Sequence, residues 1–229
     1  MILNLGEWPR RAVLSYSGTY TTKTITVNGK SYTLYSFTGS GTLSVSGGKL
    51  KNADIWACGG GGSPALIKTA RGGGGGYTAQ LNGQTLPIGQ YVITIGAAQA
   101  ATSIARGGTA LLTANGAPVL SGTSDANSGK GGSGGGMAAG GTAVCKGQGT
   151  TTRPFGDTVN FASLPCAGGG GAGGRKSQGS YGDGSSAGDW YGYGGAGGTD
   201  GSDGGLGSVQ NATDKPYGGA GGATGGGRG

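Results

Sequence analysis

Apolar and β-branched residues alternate with polar ones through the first half of the chain. Residues 24–27 (TITV) and 31–37 (SYTLYSF) flank Asn28-Gly29, a dipeptide that favours the type I′ turn, and the pattern predicts a hairpin. Residues 42–45 (TLSV) continue the period of two. Residues 51–57 (KNADIWA) predict a short strand with Ile55 and Ala57 on one face and Trp56 on the other, running directly into Cys58 and four glycines. Residues 90–95 (QYVITI) and 110–113 (ALLT) are further strand candidates, punctuated by Gly89, Gly96 and Gly116. No window combines helical spacing with caps, so no significant α-helix is expected.

Glycine divides the chain unevenly: 7 of its 61 glycines precede Cys58 and 54 follow. From about residue 121 the alternation gives way to glycine clusters separated by polar or aromatic inserts. The clusters are GGSGGG at 131–136, CAGGGGAGG at 166–174, YGGAGG at 193–198 and YGGAGGATGGG at 217–227. They lack a fixed period, which disfavours a regular solenoid such as a calcium-binding β-roll. Runs of glycine can instead adopt extended helices of the polyproline II type, with three residues per turn and all backbone groups pointing outward. Side by side, such helices can approach closely and exchange hydrogen bonds with several neighbours, satisfying groups otherwise buried unpaired. Each bond contributes only about 1 kcal/mol net against a backbone ordering cost of about 1–2 kcal/mol per residue, so the lattice must be nearly complete. The expected fold is therefore mainly β plus irregular structure. A β-hairpin and attachment region fills residues 1–50, β-strands with glycine runs fill 51–120, and a polyglycine II bundle with loop inserts fills 121–229. Valine at Gly170 or Gly195 is expected to force neighbouring helices of that bundle apart.

Composition adds two exclusions. Glycine at this density without a Gly-X-Y period suggests disorder, but disordered chains usually combine low hydrophobicity with dense charge. Here only 11% of residues are charged, and Trp56, Trp190 and several tyrosines stand near the glycine runs. The net charge of +7 reflects few acids as much as many bases, and the lysines and arginines are scattered singly or in pairs. Arg71-Gly72-Gly73 and Arg106-Gly107-Gly108 are isolated RGG starts, so nucleic acid is not implied. Residues 1–8 lack a basic-then-apolar run and no stretch approaches eighteen apolar residues; neither export by the usual pathway nor membrane insertion is expected.

Catalytic and cofactor chemistry find little support. The chain has no histidine, no GxSxG elbow, no clear carboxylate pair outside Asp-Gly turns and no P-loop lysine, which points to a non-enzymatic protein without cofactors. Cys58, Cys145 and Cys166 lack CxxC spacing, disfavouring zinc; Cys145 and Cys166 could close a loop or remain buried thiols. Asp200 and Asp203 in TDGSDGG offer oxygen ligands for calcium, although Asp-Gly is first of all a turn pair. The aromatic and basic residues of the inserts are of the types enriched at binding hot spots, and they could equally cover the edges of a glycine lattice.

Residues 35–45 (YSFTGSGTLSV), 55–62 (IWACGGGG), 71–80 (RGGGGGYTAQ), 91–97 (YVITIGA) and 147–157 (GQGTTTRPFGD), followed by the CAGGGGAGG run, resemble glycine-rich domains of bacteriophage tail-fibre and tail-tip proteins. These stretches span about two thirds of the chain, and GQGTTTRPFGD is the most specific. The family's apolar strand after the last glycine run has no counterpart at residues 226–229. A more distant similarity, of architecture alone, is to the tip adhesins of T-even-like phages, whose polyglycine II sandwich carries variable receptor-binding segments. The resemblance implies a virion protein that binds without turnover and is extracellular after release. It would attach to other tail or virion proteins through its N-terminal region and bind a bacterial surface receptor, and a homo-oligomer is compatible with it. Receptor-binding candidates are Arg153, Phe155, Arg175, Lys176, Tyr181, Trp190, Tyr191, Tyr193, Lys215 and Tyr217, on inserts 153–165, 175–193 and 199–217 expected near the bundle's ends. A purely structural head-fibre or tail-decoration protein is the first rival. An ice-binding protein is the second, opposed by the irregular inserts.

Overall fold

The computed structural model describes residues 12–27, 30–62, 73–118, 130–135, 145–156, 191–193, 203–204 and 208–210. Alternation in the sequence becomes two packed layers. Strands β1 (Val13–Tyr16), β4 (Gly41–Ser46), β7 (Gly89–Thr94), β8 (Thr102–Arg106) and β9 (Thr109–Ala114) lie side by side in that order as an antiparallel sheet. β5 (Leu50–Cys58) and β6 (Thr78–Leu86) pair as an antiparallel ribbon. Every second side chain of the sheet points to the ribbon: Leu43, Val45, Tyr91, Ile93, Ile104 and Leu112 meet Leu50, Ala53, Ile55 and Leu86 in one buried cluster. Each large apolar side chain so buried stabilises the fold by about 1.5–3 kcal/mol. Tyr91 brings its hydroxyl inside too and donates it to the Pro87 carbonyl (2.7 Å).

The hairpin expected around Asn28-Gly29 forms from β2 (Tyr20–Val27) and β3 (Lys30–Phe37). The dipeptide itself lies outside the described residues, and Val27 opposite Lys30 leaves two residues to connect the strands. Aromatic rings fasten the hairpin's base to the sheet edge. Tyr16 of β1 meets Phe37 edge-on at 4.5 Å, Tyr20 stacks near Phe37 and Tyr35, and the Tyr16 hydroxyl donates to the Gly39 carbonyl.

Two irregularities explain where the sequence pattern and the strands part company. Leu50, Ala53 and Ile55 face inward at spacings of three and then two, which one strand achieves only through a bulge, and the β5–β6 register shifts on either side of Ala53. Asn52, in the left-handed region (φ 54°), absorbs the extra residue. On β6, Asn82-Gly83 looks like a turn signal and no strand was expected there. Instead Gly83 (φ +63°) sits in the bulge and donates its N–H to Asp54 Oδ1 (2.8 Å). β1 and β8, also unexpected, are short strands whose alternation is too brief to stand out alone. Strands from either side of residue 50 share the five-stranded sheet.

Both layers end at one level, where Cys58 pairs with Thr78, Thr94 with Ser103, and Thr102 with Ala114. Beyond it, residues 59–62, 73–77, 95–101 and 115–118 carry no strand, yet their backbones are bonded to one another. Gly59 and Gly62, three residues apart, donate to the Tyr77 and Gly74 carbonyls (2.9 and 2.8 Å), themselves three apart. Between them, Gly60 donates to Ala100 and accepts from Ala117, and Gly61 accepts from Gln99. Residues 59–62 thus bond three separate segments. The next run behaves alike: besides its bonds to residues 59–62, Tyr77 donates to Asn115, and Gly75 exchanges bonds with Gly132 and Ser133. From residues 130–135 the network passes outward to Lys146 and Gln148, and from Cys145 to Gly204. A β-strand offers its groups to only two neighbours, in one plane.

Glycine is needed here for close approach. None of Gly59, Gly60, Gly76, Gly131, Gly132 or Gly134 has positive φ, but a Cβ on any of them would lie under 3.0 Å from backbone atoms of a neighbouring segment. The described residues are mainly β, with no α-helix among them and no helix long and apolar enough to cross a membrane. Gly170 and Gly195 lie outside them.

Gly60→Ala is therefore expected to destabilise the protein by about 1–3 kcal/mol, the range for overpacking a closed contact. Gly61→Ala is the control: a Cβ there meets only the Gly74 carbonyl at an ordinary 3.7 Å. It is expected to be neutral or stabilising by up to about 1 kcal/mol, through lost freedom of the unfolded chain. Urea unfolding of both variants checks this, and equal loss in the two would contradict close packing at Gly60.

Candidate recognition loop

Residues 145–156 (CKGQGTTTRPFG) leave the glycine network as a loop fixed to it at two places. At its base, Cys145 is buried and its carbonyl accepts the Gly204 N–H (2.9 Å). Lys146 Nζ stands 2.6 Å from Asp203 Oδ2, and the Gly147 N–H donates to Asp203 Oδ1 (3.0 Å). These hydrogen bonds, Lys146 first and Gly147 second, hold the Asp203 carboxyl below its ordinary pKa. The pair is largely exposed, so its contribution to stability lies within about 1 kcal/mol.

Gln148 is the second anchor. Its Oε1 accepts the Thr78 N–H at the start of β6 (3.0 Å). The two N–H groups of Nε2 are shared among Thr78 Oγ1, Thr150 Oγ1 and the Thr151 carbonyl, all within 3.2 Å. One amide thereby joins the loop to the sandwich across 70 residues of sequence. Gly149, in the left-handed region (φ +76°), reverses the chain between the anchors and the loop's outer half.

In that outer half Thr152 and Pro154 are buried, Arg153 is exposed and Phe155 is half-buried. The Arg153 N–H donates to Thr151 Oγ1 (3.2 Å). Pro154–Gly156 form a 3-10 turn against β5, in which Phe155 holds φ 58°. A left-handed conformation costs a non-glycine residue about 1–2 kcal/mol, so the fixed surroundings impose it. The result is a cation and an aromatic ring two residues apart, on a segment whose base is tethered by Lys146, Gly147 and Gln148.

Of the ten candidates from the sequence, these two are the ones the structure places with their side chains. Tyr191 and Tyr193 stand in β10 (Tyr191–Tyr193), opposite Gln210 and Ser208 of β11 (Ser208–Gln210). Arg175, Lys176, Tyr181, Trp190, Lys215 and Tyr217 lie outside the described residues, as does most of the three inserts expected at the bundle's ends. Cys166 and Asp200 also lie outside them. Asp203 serves the loop's tether through both oxygens, and no group of three or more potential metal-ligating side chains occurs among the described residues. Gln148 and the Lys146–Asp203 tether escaped the sequence reading. The only hint was the glutamine of GQGTTTRPFG, which nothing in the local pattern pairs with Thr78.

Comparison with family models, with curated proteins and with solved structures finds no match.

Gln148→Ala is expected to loosen the loop while the sandwich stays folded, because the Thr78 N–H loses its partner at a cost of about 1–3 kcal/mol. Faster amide exchange at residues 78, 150–153 and 155, with strands β7–β9 unchanged, is the measurement. The Asp203 tether carries a pH signature. A carboxyl whose folded-state pKa is depressed stabilises the fold above the ordinary value of 3.8, and that contribution is lost as pH falls through the lowered folded value. Chemical shifts of Gly147 and Gly204 should stay constant at neutral pH and move only in strongly acid solution; movement near neutrality would contradict the assigned partners.

Proposed function

We propose that the chain is a bacteriophage tail-fibre or tail-tip adhesin, which binds a bacterial surface receptor through inserts held between glycine segments and acts by binding without turnover. The observation that carries this is the contrast at residues 145–156: a double-anchored base and an exposed Arg153 beside a conformationally held Phe155. Loops positioned by a rigid scaffold are where recognition usually resides, and preorganisation lowers the entropic cost of binding. The resemblance of GQGTTTRPFGD and its neighbouring stretches to phage tail proteins supplies the receptor class, the virion location and attachment to other virion proteins.

The scaffold in this proposal is a polyglycine II bundle. Bonding partners that recur every three residues, three bonded neighbours around one four-residue segment, and glycines at points of backbone contact all favour it over a sheet. The glycine runs at 166–174, 193–198 and 217–227 would extend the same lattice. An experimental structure in which residues 59–62, 73–77 and 130–135 depart from φ of about −75° and ψ of about +145° would remove this part.

Fluorescent recombinant protein is expected to label at least one strain in a panel of bacteria, saturably. Arg153→Ala combined with Phe155→Ala should weaken that labelling at least tenfold, about 1.4 kcal/mol, with an unchanged melting temperature. Replacing Trp190 and Tyr191 by alanine tests the second insert in the same way. Labelling unaffected by either double variant would put recognition elsewhere. Stoichiometric binding to phage particles with no labelling of cells would favour the purely structural virion component.

A further inference from the structure

The sandwich has a second end, opposite the glycine segments, and there its layers part. Between them lies a cavity of about 280 Å³ whose apolar wall includes Leu81, Leu86, Tyr91 and Leu111, with Gln84 and Thr85 also on its lining. Arg106 completes the lining at its exposed mouth. Two apolar residues at this end remain open to solvent, Ile88 at 56% and Leu111 at 40%.

Arg106 is seated there. Its Nη2 donates to the Ile88 carbonyl (3.0 Å), and its guanidinium carbon stands 5.6 Å from the centre of the Tyr91 ring. Gly89 (φ +149°) makes room for it: a Cβ there would come within 3.2 Å of the guanidinium. The described contacts occupy one of the five N–H donors an arginine carries. Among the described residues, charge at this end has one sign. Lys49 and Lys51 flank Leu50, which pairs with Leu86 beside the cavity. Among the described residues of the sandwich and hairpin the sole acid is Asp54, already committed to the Gly83 N–H.

We propose that this mouth docks an acidic segment of a partner protein, with an aliphatic side chain in the cavity and a neighbouring carboxylate on the remaining Arg106 donors. The cavity falls just short of the ~300–1,000 Å³ typical of small-molecule sites and suits a side-chain anchor. The fixed guanidinium offers the fork that a carboxylate fits, and Lys49 and Lys51 add attraction that salt screens. The site does not depend on the adhesin reading: a partner here would hold the chain by the end farthest from the glycine network.

The test uses the full chain and three labelled octapeptides, one alternating glutamate with leucine, one with lysine for glutamate, and one with glycine for leucine. By fluorescence anisotropy the glutamate–leucine peptide is expected to bind at least tenfold more tightly than either control and to weaken with added salt. Arg106→Glu should reduce its affinity at least tenfold. So should Leu111→Asp, an exposed position that tests the cavity should the arginine variant fail to fold. Amide shift changes should centre on residues 84–91 and 106–111. No binding, equal binding of the glycine control, undiminished binding by a folded variant, or shifts centred elsewhere would each overturn the proposal. So would self-association of the peptide-free protein through these same residues, seen by sedimentation.

Discussion

Backbone hydrogen bonds, rather than side-chain burial, set the terms for the described glycine segments of this protein. In the sandwich a residue's N–H and C=O are satisfied by the ladder while its side chain fills the core. Where the strands stop, the segments continue side by side with almost no side chains between them, and their buried polar groups must find partners or cost about 1–3 kcal/mol each. Gly59 to Gly62 solve this by addressing three neighbours in turn. That solution requires backbones so close that a single methyl group does not fit at Gly60, Gly76 or Gly132. Glycine, usually the residue of flexible linkers, is here the residue that permits packing.

The sandwich makes the arrangement possible. An isolated glycine segment would bear the largest ordering cost of any sequence. The four segments at the sheet's end are instead extensions of β5, β6, β7, β8 and β9, whose register delivers them already aligned. Tyr77 shows the hand-over: its carbonyl accepts from Gly59, its N–H donates to Asn115, and the next residue begins β6. Residues 130–135 and 145–148 then add to an existing template, which lowers the cost of each later addition.

Anchoring follows the same logic at the loop. Gln148 and Asp203 supply side-chain bonds beside the backbone bonds of residues 145–148, and Phe155 holds its left-handed φ in a turn against β5. The described residues thus place a side-chain core with a positive mouth at one end of the sandwich, and backbone-bonded segments carrying an anchored loop at the other.

The sequence by itself determined the class of structure: mainly β, no α-helix among the described residues, the hairpin around Asn28-Gly29, and strands at 41–46, 50–58, 89–94 and 109–114 within a residue or two. These were legible because an alternating face records burial directly. It also marked where glycine takes over, and it singled out Arg153 and Phe155. Tertiary structure alone decided the bulges at Asn52 and Gly83, the pairing of Gln148 with Thr78, and the partners of the described glycine segments. The physical reason is clearest for the glycine segments. Side-chain periodicity encodes which face is buried, but a backbone amide is the same at every glycine. A bond such as Gly60 to Ala100 therefore leaves no signature in the residues that make it; what chooses the partner is the register of the strands from which both segments grow.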